Sequence, residues 1–246
     1  MTAIGHRARL NIMRLALLGA ILIVWQLASG VVVSEFFISK PSAIAKALAS
    51  LVTDGNLFFH MGITATEAFA GFIIGATGGI VTGVLLGRIH ILAELLHPFI
   101  LAFYSLPKIA LAPLFILWIG IGIDMKIVLT ATVVFFLVFL NTYTGVRNVS
   151  RELESIMYLM GAREHHVLTK VVLPSAVAWV FAGLRISVPY ALIGAIVGEL
   201  IAANRGLGFL LANAQGQFDT AGVFAALIVI MMLSGFLNVL VRIAEV

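Results

Sequence analysis

The sequence predicts an all-α, polytopic membrane protein with six transmembrane helices in a single domain spanning residues 1–246. The first observation behind this is composition. The chain is 62% hydrophobic and 11% charged, whereas soluble domains run nearer about 45–50% and about 25%. The second is that six apolar runs each approach the roughly 20 residues needed to cross a ~30 Å hydrocarbon core. The third is the placement of charge. The only long charge-rich stretch, Arg147–Pro174 (RNVSRELESIMYLMGAREHHVLTKVVLP), lies between two such runs. It cannot sit in lipid, so it is presented to water.

The first span is about 15–33. It follows Arg7, Arg9 and Arg14 and exceeds the ~7–15 residue core of a signal peptide, so it reads as a retained signal anchor. Next, Ser34–His60 contains PSAIAKALASLV, where Ile44, Leu48 and Leu51 recur at helical spacing; this predicts a short interfacial helix. The second span, about 62–86, carries Gly71, Gly75, Gly78, Gly79 and Gly83, which let helix backbones approach closely.

The third run, Ile91–Ile121, would reach about 45 Å as one straight helix, well beyond the ~30 Å core. It holds Pro98, Pro107, Lys108 and Pro113. The expectation is a broken span over 92–118: a helical piece to Ser105, a break, and a second piece through Trp118. Broken helices are tolerated where they line a cavity; a plain proline kink is the alternative. The fourth span is about 127–143, and the water-facing loop covers 147–173. The fifth span is about 174–201, opening on Pro174, a favoured first helical residue. The sixth is about 223–241.

Basic residues set the orientation. Arg7, Arg9, Arg14, Arg88, Arg147, Arg151, Arg163, Lys170 and Arg242 fall on one side, against Lys40, Lys46, Lys126 and Arg205 on the other. The bias predicts cytoplasmic N- and C-termini and a cytoplasmic loop. The net charge of +4, spread among loops, fits membrane orientation and not nucleic-acid binding.

Several chemistries are excluded by residue type. Cysteine is absent, so there is no disulfide or thiolate site. No lysine follows a glycine, so there is no phosphate loop. His165 and His166 are adjacent and point about 100° apart on a helix, a poor metal pair. No catalytic or metal residue is assigned and no convergent titratable set suggests a membrane enzyme. If the chain moves a solute uphill, the energy must come from a partner or an ion gradient.

Arg185 and Glu199 are charges within or near the bilayer, where each costs at least ~2.5–3.5 kcal/mol without a partner or water. About 21 Å of helix separates them, so they do not pair within one straight helix. Arg185 either faces a cavity toward an anionic solute or makes a structural pair, and the structural reading is preferred. Glu199 is expected near the outer surface beside Asn204, Arg205, Gly206 and Gly208, a candidate outer gate and docking loop; an ordinary glycine turn is the alternative.

The segments together resemble the permease subunit of a bacterial type I ABC importer, in the nitrate, sulfonate and taurine branch with its related pyrimidine and riboflavin precursor permeases. The signature E-A-A, three residues, G, nine residues, I-x-L-P is matched at Gly161, Val171, Leu173 and Pro174. The likeness extends through GFIIGATGGIVTGVLLG, ALAPLFILWIGIG, FLNTYTGVRNV and AGLRISVPYALIGAIVGELIAANRGLGFLL. Two departures stand out. Ser155, Ile156 and Met157 replace Glu-Ala-Ala, with Glu154 one position early and Glu152 close by. Glu67 stands where many members carry arginine, read here as an interfacial carboxylate.

The resemblance implies a membrane-spanning subunit, not itself an enzyme, that forms the pathway for a small solute such as a sulfonate, taurine, nitrate or aromatic carboxylate. It implies a second copy of the chain (a homodimer), a cytoplasmic ABC ATPase dimer holding the ATP and Mg, and an extracytoplasmic solute-binding protein, periplasmic or lipid-anchored. No cofactor is implied for this chain, and its place is the bacterial inner membrane. The loop helix, about Arg151–Ala162, becomes a coupling helix, with Glu152, Glu154, Ser155, Gly161, Ala162, Val171, Leu173 and Pro174 as ATPase-coupling residues. Ser105, Pro107, Trp118, Asn141, Arg185 and Ser187 are candidate pathway residues. One competing reading is an ion-coupled secondary transporter acting alone, which needs acidic residues at mid-membrane; Glu67 and Glu199 are expected near span ends. Another is a permease for a vitamin precursor.

Overall fold

The computed structural model describes residues 3–244, with side chains described for 9–240 except 90 and 97. The side chains of Arg7 and Arg242, counted above for orientation, lie outside those residues. The described chain is helical throughout, apart from one isolated bridge between Ser29 and Val33. Five helical stretches are long and apolar enough to span a membrane: Arg9–Ala28, Asn56–Arg88, Ile123–Arg147, Glu164–Ala202 and Thr220–Leu240. A bent pair, Pro98–Ser105 with Lys108–Ile119, passes the same test of length and apolarity jointly with an 85° break, the form of a broken span or a re-entrant loop. The expected all-α membrane body is thus present.

Two compact units are distinguished, one of residues up to 59 with 210–230, the other of 60–209 with 231 onward. In the first, helix α1 (Ala3–Ala28) ends five residues short of the expected span end. Gly30, at φ +87°, turns the chain, and the Ser29 hydroxyl donates to the Ile38 carbonyl at 2.5 Å. These local bonds compete with the helix and stop it. Helix α2 (Pro41–Thr53) forms as expected, with proline in its first turn and Ile44 buried. Its Ser42 N–H donates to the Gln26 amide oxygen at 3.1 Å, and the Gln26 amide donates back to the Ser42 hydroxyl at 3.1 Å.

The second unit is organised by three long helices, α3 (Asn56–Arg88), α6 (Ile123–Arg147) and α9 (Leu173–Ala202). The glycines of α3 act as packing residues. A Cβ at Gly71 would come 2.5 Å from the Thr130 side chain, at Gly79 2.8 Å from the Phe135 carbonyl, and at Gly87 2.6 Å from Val146. The other side of α6 receives α9 the same way, with Gly194 against Thr130 and Gly198 against Lys126. Buried Val134 and Val138 of α6 meet Ala76 and Ala191 between these faces. In lipid there is no hydrophobic drive between spans, so this backbone proximity supplies the dispersion that holds them.

The third run breaks where expected. Helix α4 (His90–Ser105) stops, Leu106 and Pro107 are extended, and a 3-10 turn (Lys108–Leu111) leads into α5 (Ala112–Ile119). Pro107 lacks an N–H and forces the residue before it out of the helical region.

Three elements differ from expectation. Helix α7 (Arg151–Leu159) is shorter than Arg151–Ala162. The helix that carries the fifth span begins at Glu164, upstream of Pro174: α8 (Glu164–Val167) runs through a π-helical turn (Leu168–Val172) into α9. Pro174 has no N–H to offer four residues back, and the widened turn accommodates that loss. Finally, the outer loop contains an unforeseen helix, α10 (Leu207–Gly216), ahead of α11 (Thr220–Ala244).

Candidate functional sites: a loop hinge and a buried charge cluster

The charge-rich loop folds into α7 and a hinge. Ser150 sits extended before α7, and its hydroxyl accepts the Leu153 N–H at 3.3 Å. Glu152 and Glu154 occupy the first turn, where the helix dipole favours carboxylates. At the other end Gly161 has φ +80°. Its N–H donates to the Tyr158 carbonyl at 2.9 Å, and the Ala162 N–H donates to the Met157 carbonyl at 3.0 Å. This is a Schellman turn, which needs a left-handed residue after the helix. A Cβ at Gly161 would meet nothing within 4 Å. Glycine is required there for its backbone alone.

The hinge is fastened to the span bundle in two ways. Met157, Ala162 and Val171 pack on a core of Val146, Val149, Val167, Val172 and Ala176. Arg88, the last residue of α3, donates to Glu154 at 2.8 Å and also pairs with Glu164. The Tyr158 hydroxyl donates to Glu164, and that hydrogen bond pushes the phenol above its ordinary pKa. Glu154, expected to face a partner, is therefore turned inward onto Arg88. Glu152 is exposed, and Ser155 donates to its own helix at Arg151 (2.8 Å). Leu173, expected at the end of the loop, and Pro174, expected to open the span, are both exposed in the first turn of α9. The outward side of the hinge is apolar: Leu159 is 87% exposed and Met160 79%. His165 and His166 follow on α8 with ring centroids 3.8 Å apart, and among the described residues no group of three could hold a metal.

A second polar site is buried at the opposite end of α3. Lys126 Nζ donates to Glu67 Oε1 at 2.8 Å, with side chains 7% and 0% exposed. Glu199 is 1% exposed. Its two oxygens accept from the Thr64 hydroxyl at 2.7 Å and from the Gly208 N–H at 2.6 Å. Thr64 also accepts the Leu207 N–H at 2.8 Å, and His60 Nδ1 accepts the Gly206 N–H at 2.9 Å. The orphan N–H groups opening α10 are thus satisfied by side chains from α3 and α9. Gly206, at φ +105°, leaves the space the Glu199 carboxylate fills.

Three expectations are corrected here. Glu67, expected to be merely interfacial, is fully buried three turns into α3, which already starts at Asn56. Lys126, expected among the charges of an outer segment, is buried near the start of α6 as its counter-ion. Glu199 adjoins the Gly206–Gly208 turn, as expected, but is buried beneath it and not at the surface. Asn204 and Arg205 line a cavity of about 670 Å³ with Glu67 and Lys126. Sequence reasoning missed Arg88, Thr64, His60 and Lys126 as site residues. The available signal was a pair of opposite charges, Glu67 and Lys126, inside apolar runs, each of which needs a partner.

The candidate pathway residues do not converge on one place. Ser105, Asn141 and Ser187 donate to carbonyls of their own helices, at Leu101 (2.8 Å), Leu137 (2.8 Å) and Leu184 (2.9 Å). Trp118 is exposed and tilted against Phe115 at 6.1 Å. Pro107 makes the break. Arg185 is exposed on α9 and interacts with a neighbouring group.

A helical body of apolar spans with a bent helix pair and a glycine-turned polar loop defines a polytopic membrane protein. Comparison with known proteins gives the family. Residues 78–245 match the family described as binding-protein-dependent transport system inner membrane component, and the chain belongs to it. It is similar to the aliphatic sulfonates transport permease of Bacillus subtilis, at 33% identity over 97% of this chain and 87% of that one. The formylaminopyrimidine transport permease of Halalkalibacterium halodurans is 32% identical over 87% and 85%. The riboflavin transport permease of Chloroflexus aurantiacus is 33% identical over 92% and 84%. Among solved structures, a methionine ABC transporter matches with a TM-score of 0.61 at 20% identity, over 76% of this chain and 94% of that one. The chain is therefore a multi-pass permease subunit of an ABC importer and not itself an enzyme, and its family implies an ATPase and a solute-binding protein as partners.

Proposed function

We propose that two copies of this chain form the pathway for a small organic or inorganic anion, with the termini and α7 on the cytoplasmic side. The α7–Gly161 hinge is the contact through which an ATPase dimer drives the pathway. The observation that carries this is the hinge itself: an apolar, exposed tip at Leu159 and Met160 on a short helix fixed to α3 and α8. Such a tip is unfavourable in water without a partner. Because α8, the π turn and α9 are continuous, a displacement of α7 that passes the Gly161 turn, through the Met157 packing and the Arg88 pair, enters a span directly. The switch is a rigid-body one, driven by the partner's binding energy. At the other end, the α10 turn carried by Glu199 is the surface for the solute-binding protein. The relatives named for sulfonates, formylaminopyrimidine and riboflavin support a small polar solute.

Co-reconstitution tests this, with the solute chosen by a thermal-shift screen of the binding protein. Uptake is expected only with ATPase, binding protein and ATP together. Uptake by the permease alone, driven by a proton or sodium gradient, would favour a secondary transporter and overturn the proposal.

A further inference from the structure

The break in the third span holds a charge the mechanism above does not use. Lys108 opens the 3-10 turn directly after Pro107. Its ammonium donates to the Tyr104 carbonyl, one of the carbonyls left without a helical donor at the end of α4. It lies 4.7 Å from the centre of the Tyr104 ring and 5.0 Å from that of Phe136. An ammonium has three donors, and among the described residues no carboxylate pairs with this one. The contrast is Lys126, whose counter-ion is the buried Glu67. Lys108 instead borders a cavity of about 310 Å³ whose walls include Tyr104, Phe136 and Tyr190.

We propose that Lys108 is the anion-contacting group of a solute site in the permease itself, walled by Tyr104, Phe136 and Tyr190. The site takes a small organic anion with an apolar or planar body, and this deepens the importer reading on which it rests. A lysine within an apolar span costs at least ~2.5–3.5 kcal/mol unless it meets water or a counter-charge. The rings hold the ammonium by cation–π attraction without neutralising it, so its remaining donors stay available to a sulfonate or carboxylate. The Tyr190 hydroxyl can donate to a second oxygen of the same group. The cavity volume sits at the lower end of the ~300–1,000 Å³ range of small-molecule pockets, enough for a charged head and a short body. The break is what places the lysine there: an unbroken helix would bury the Tyr104 carbonyl in its own hydrogen bond.

The natural chain has no cysteine, so Tyr190→Cys introduces a single thiol with Lys108 intact. In membranes holding the assembled complex, this thiol is labelled with sulfonatoethyl and with trimethylammonioethyl methanethiosulfonate. Each rate is divided by that reagent's rate with a free thiol. The anionic reagent is expected to be favoured about tenfold, as for a cleft carrying one sign of charge. Lys108→Gln in the same chain should abolish the preference, Lys108→Arg should keep it, and benzenesulfonate should slow labelling only when the charge is present. No preference, no labelling by either reagent, or a preference that survives Lys108→Gln would overturn the proposal. So would an anionic preference that appears only after phospholipid is stripped, because the ammonium's partner would then be a lipid phosphate. Labelling requires no ATP. Loss of the preference with ATP-driven uptake intact therefore defeats the site alone, while a preference without ATP-driven uptake defeats the importer reading alone.

Discussion

The two ends of α3 each hold a carboxylate–cation pair of the same length, and the pairs do opposite work. Arg88–Glu154 and Lys126–Glu67 both close at 2.8 Å. The first pair is about a fifth exposed on each side, whereas the second is 7% and 0% exposed. Arg88 has a second carboxylate, Glu164, to fall back on, and water within reach. Lys126 has Glu67 as its one ion-pair partner within 4 Å among the described residues, with the buried Glu199 carboxylate acting on it from further off. In water-exposed surroundings a pair is worth about 0–1 kcal/mol. In a buried site the attraction is offset by desolvation, and the large energy appears only when one partner is removed. Distance alone therefore says nothing about what a pair contributes; burial decides it. The exposed pair holds α7 on α3 at little gain in stability, while the buried pair fixes α3 to α6.

The strongest test of that contrast is to break the buried pair from one side. Glu67→Ala leaves a buried ammonium without its ion-pair partner and is expected to cost up to about 3–5 kcal/mol, less where the adjoining cavity admits water. Reduced folded yield and a lower thermal midpoint in detergent would show it. The double variant Glu67→Leu with Lys126→Met is expected to recover most of that loss. If the single variant were as stable as the natural chain, the pair would not be the fastening described.

Next in size is Glu199→Ala. It strips an acceptor from the Thr64 hydroxyl and the Gly208 N–H, at about 1–3 kcal/mol for each buried donor left unsatisfied. Amide hydrogen exchange should rise in the first turn of α10 before it rises in α9. Glu199→Gln, which keeps one carbonyl acceptor, should fall between the two.

What the sequence showed of this contrast was uneven. Span positions, the break at Pro107 and the turn at Gly161 were readable because each is a local matter. Apolar length, a missing N–H and a left-handed residue act within a few positions. The π turn was foreshadowed by Pro174, but nothing local says that the helix resumes upstream of it and not after. The α10 helix was hidden because its cap residues, His60, Thr64 and Glu199, come from other elements. The roles of Glu67 and Lys126 were misplaced for the same reason: 59 positions separate them, and only packing of α3 on α6 brings them together. The motif suggests an outward role for Glu154, and Arg88, 66 positions earlier, claims it instead.

At the exposed end, Gly161→Asp should cost about 1–2 kcal/mol, the penalty for an L-residue in the left-handed region, because a side chain there meets no neighbour. Stability and insertion should survive. ATP-driven uptake and assembly with the ATPase should fall, because the turn that orients Leu159 and Met160 is altered and a charge is added beside them. Gly161→Asn, with the same backbone tolerance as Asp but no charge, should retain more of both. Unchanged uptake in the Asp variant would mean that the hinge is not the point of entry for the drive.

The smallest expected effect belongs to Glu154→Gln. Arg88 keeps Glu164, and Glu164 keeps the Tyr158 hydroxyl, so the loss of stability should stay within about 1 kcal/mol and shrink further in salt. The informative measurement is coupling: the ratio of solute moved to ATP hydrolysed in co-reconstituted vesicles. If Glu154 serves to hold α7 on α3, the ratio should drop while binding to the ATPase is kept, because α7 remains docked but its motion is no longer passed on to the spans. If Glu154 instead met the ATPase directly, binding would weaken and the ratio would hold. Arg88→Lys separates the two further, since it keeps the charge but cannot fork between two carboxylates. It should reproduce the lowered ratio with Glu154 untouched.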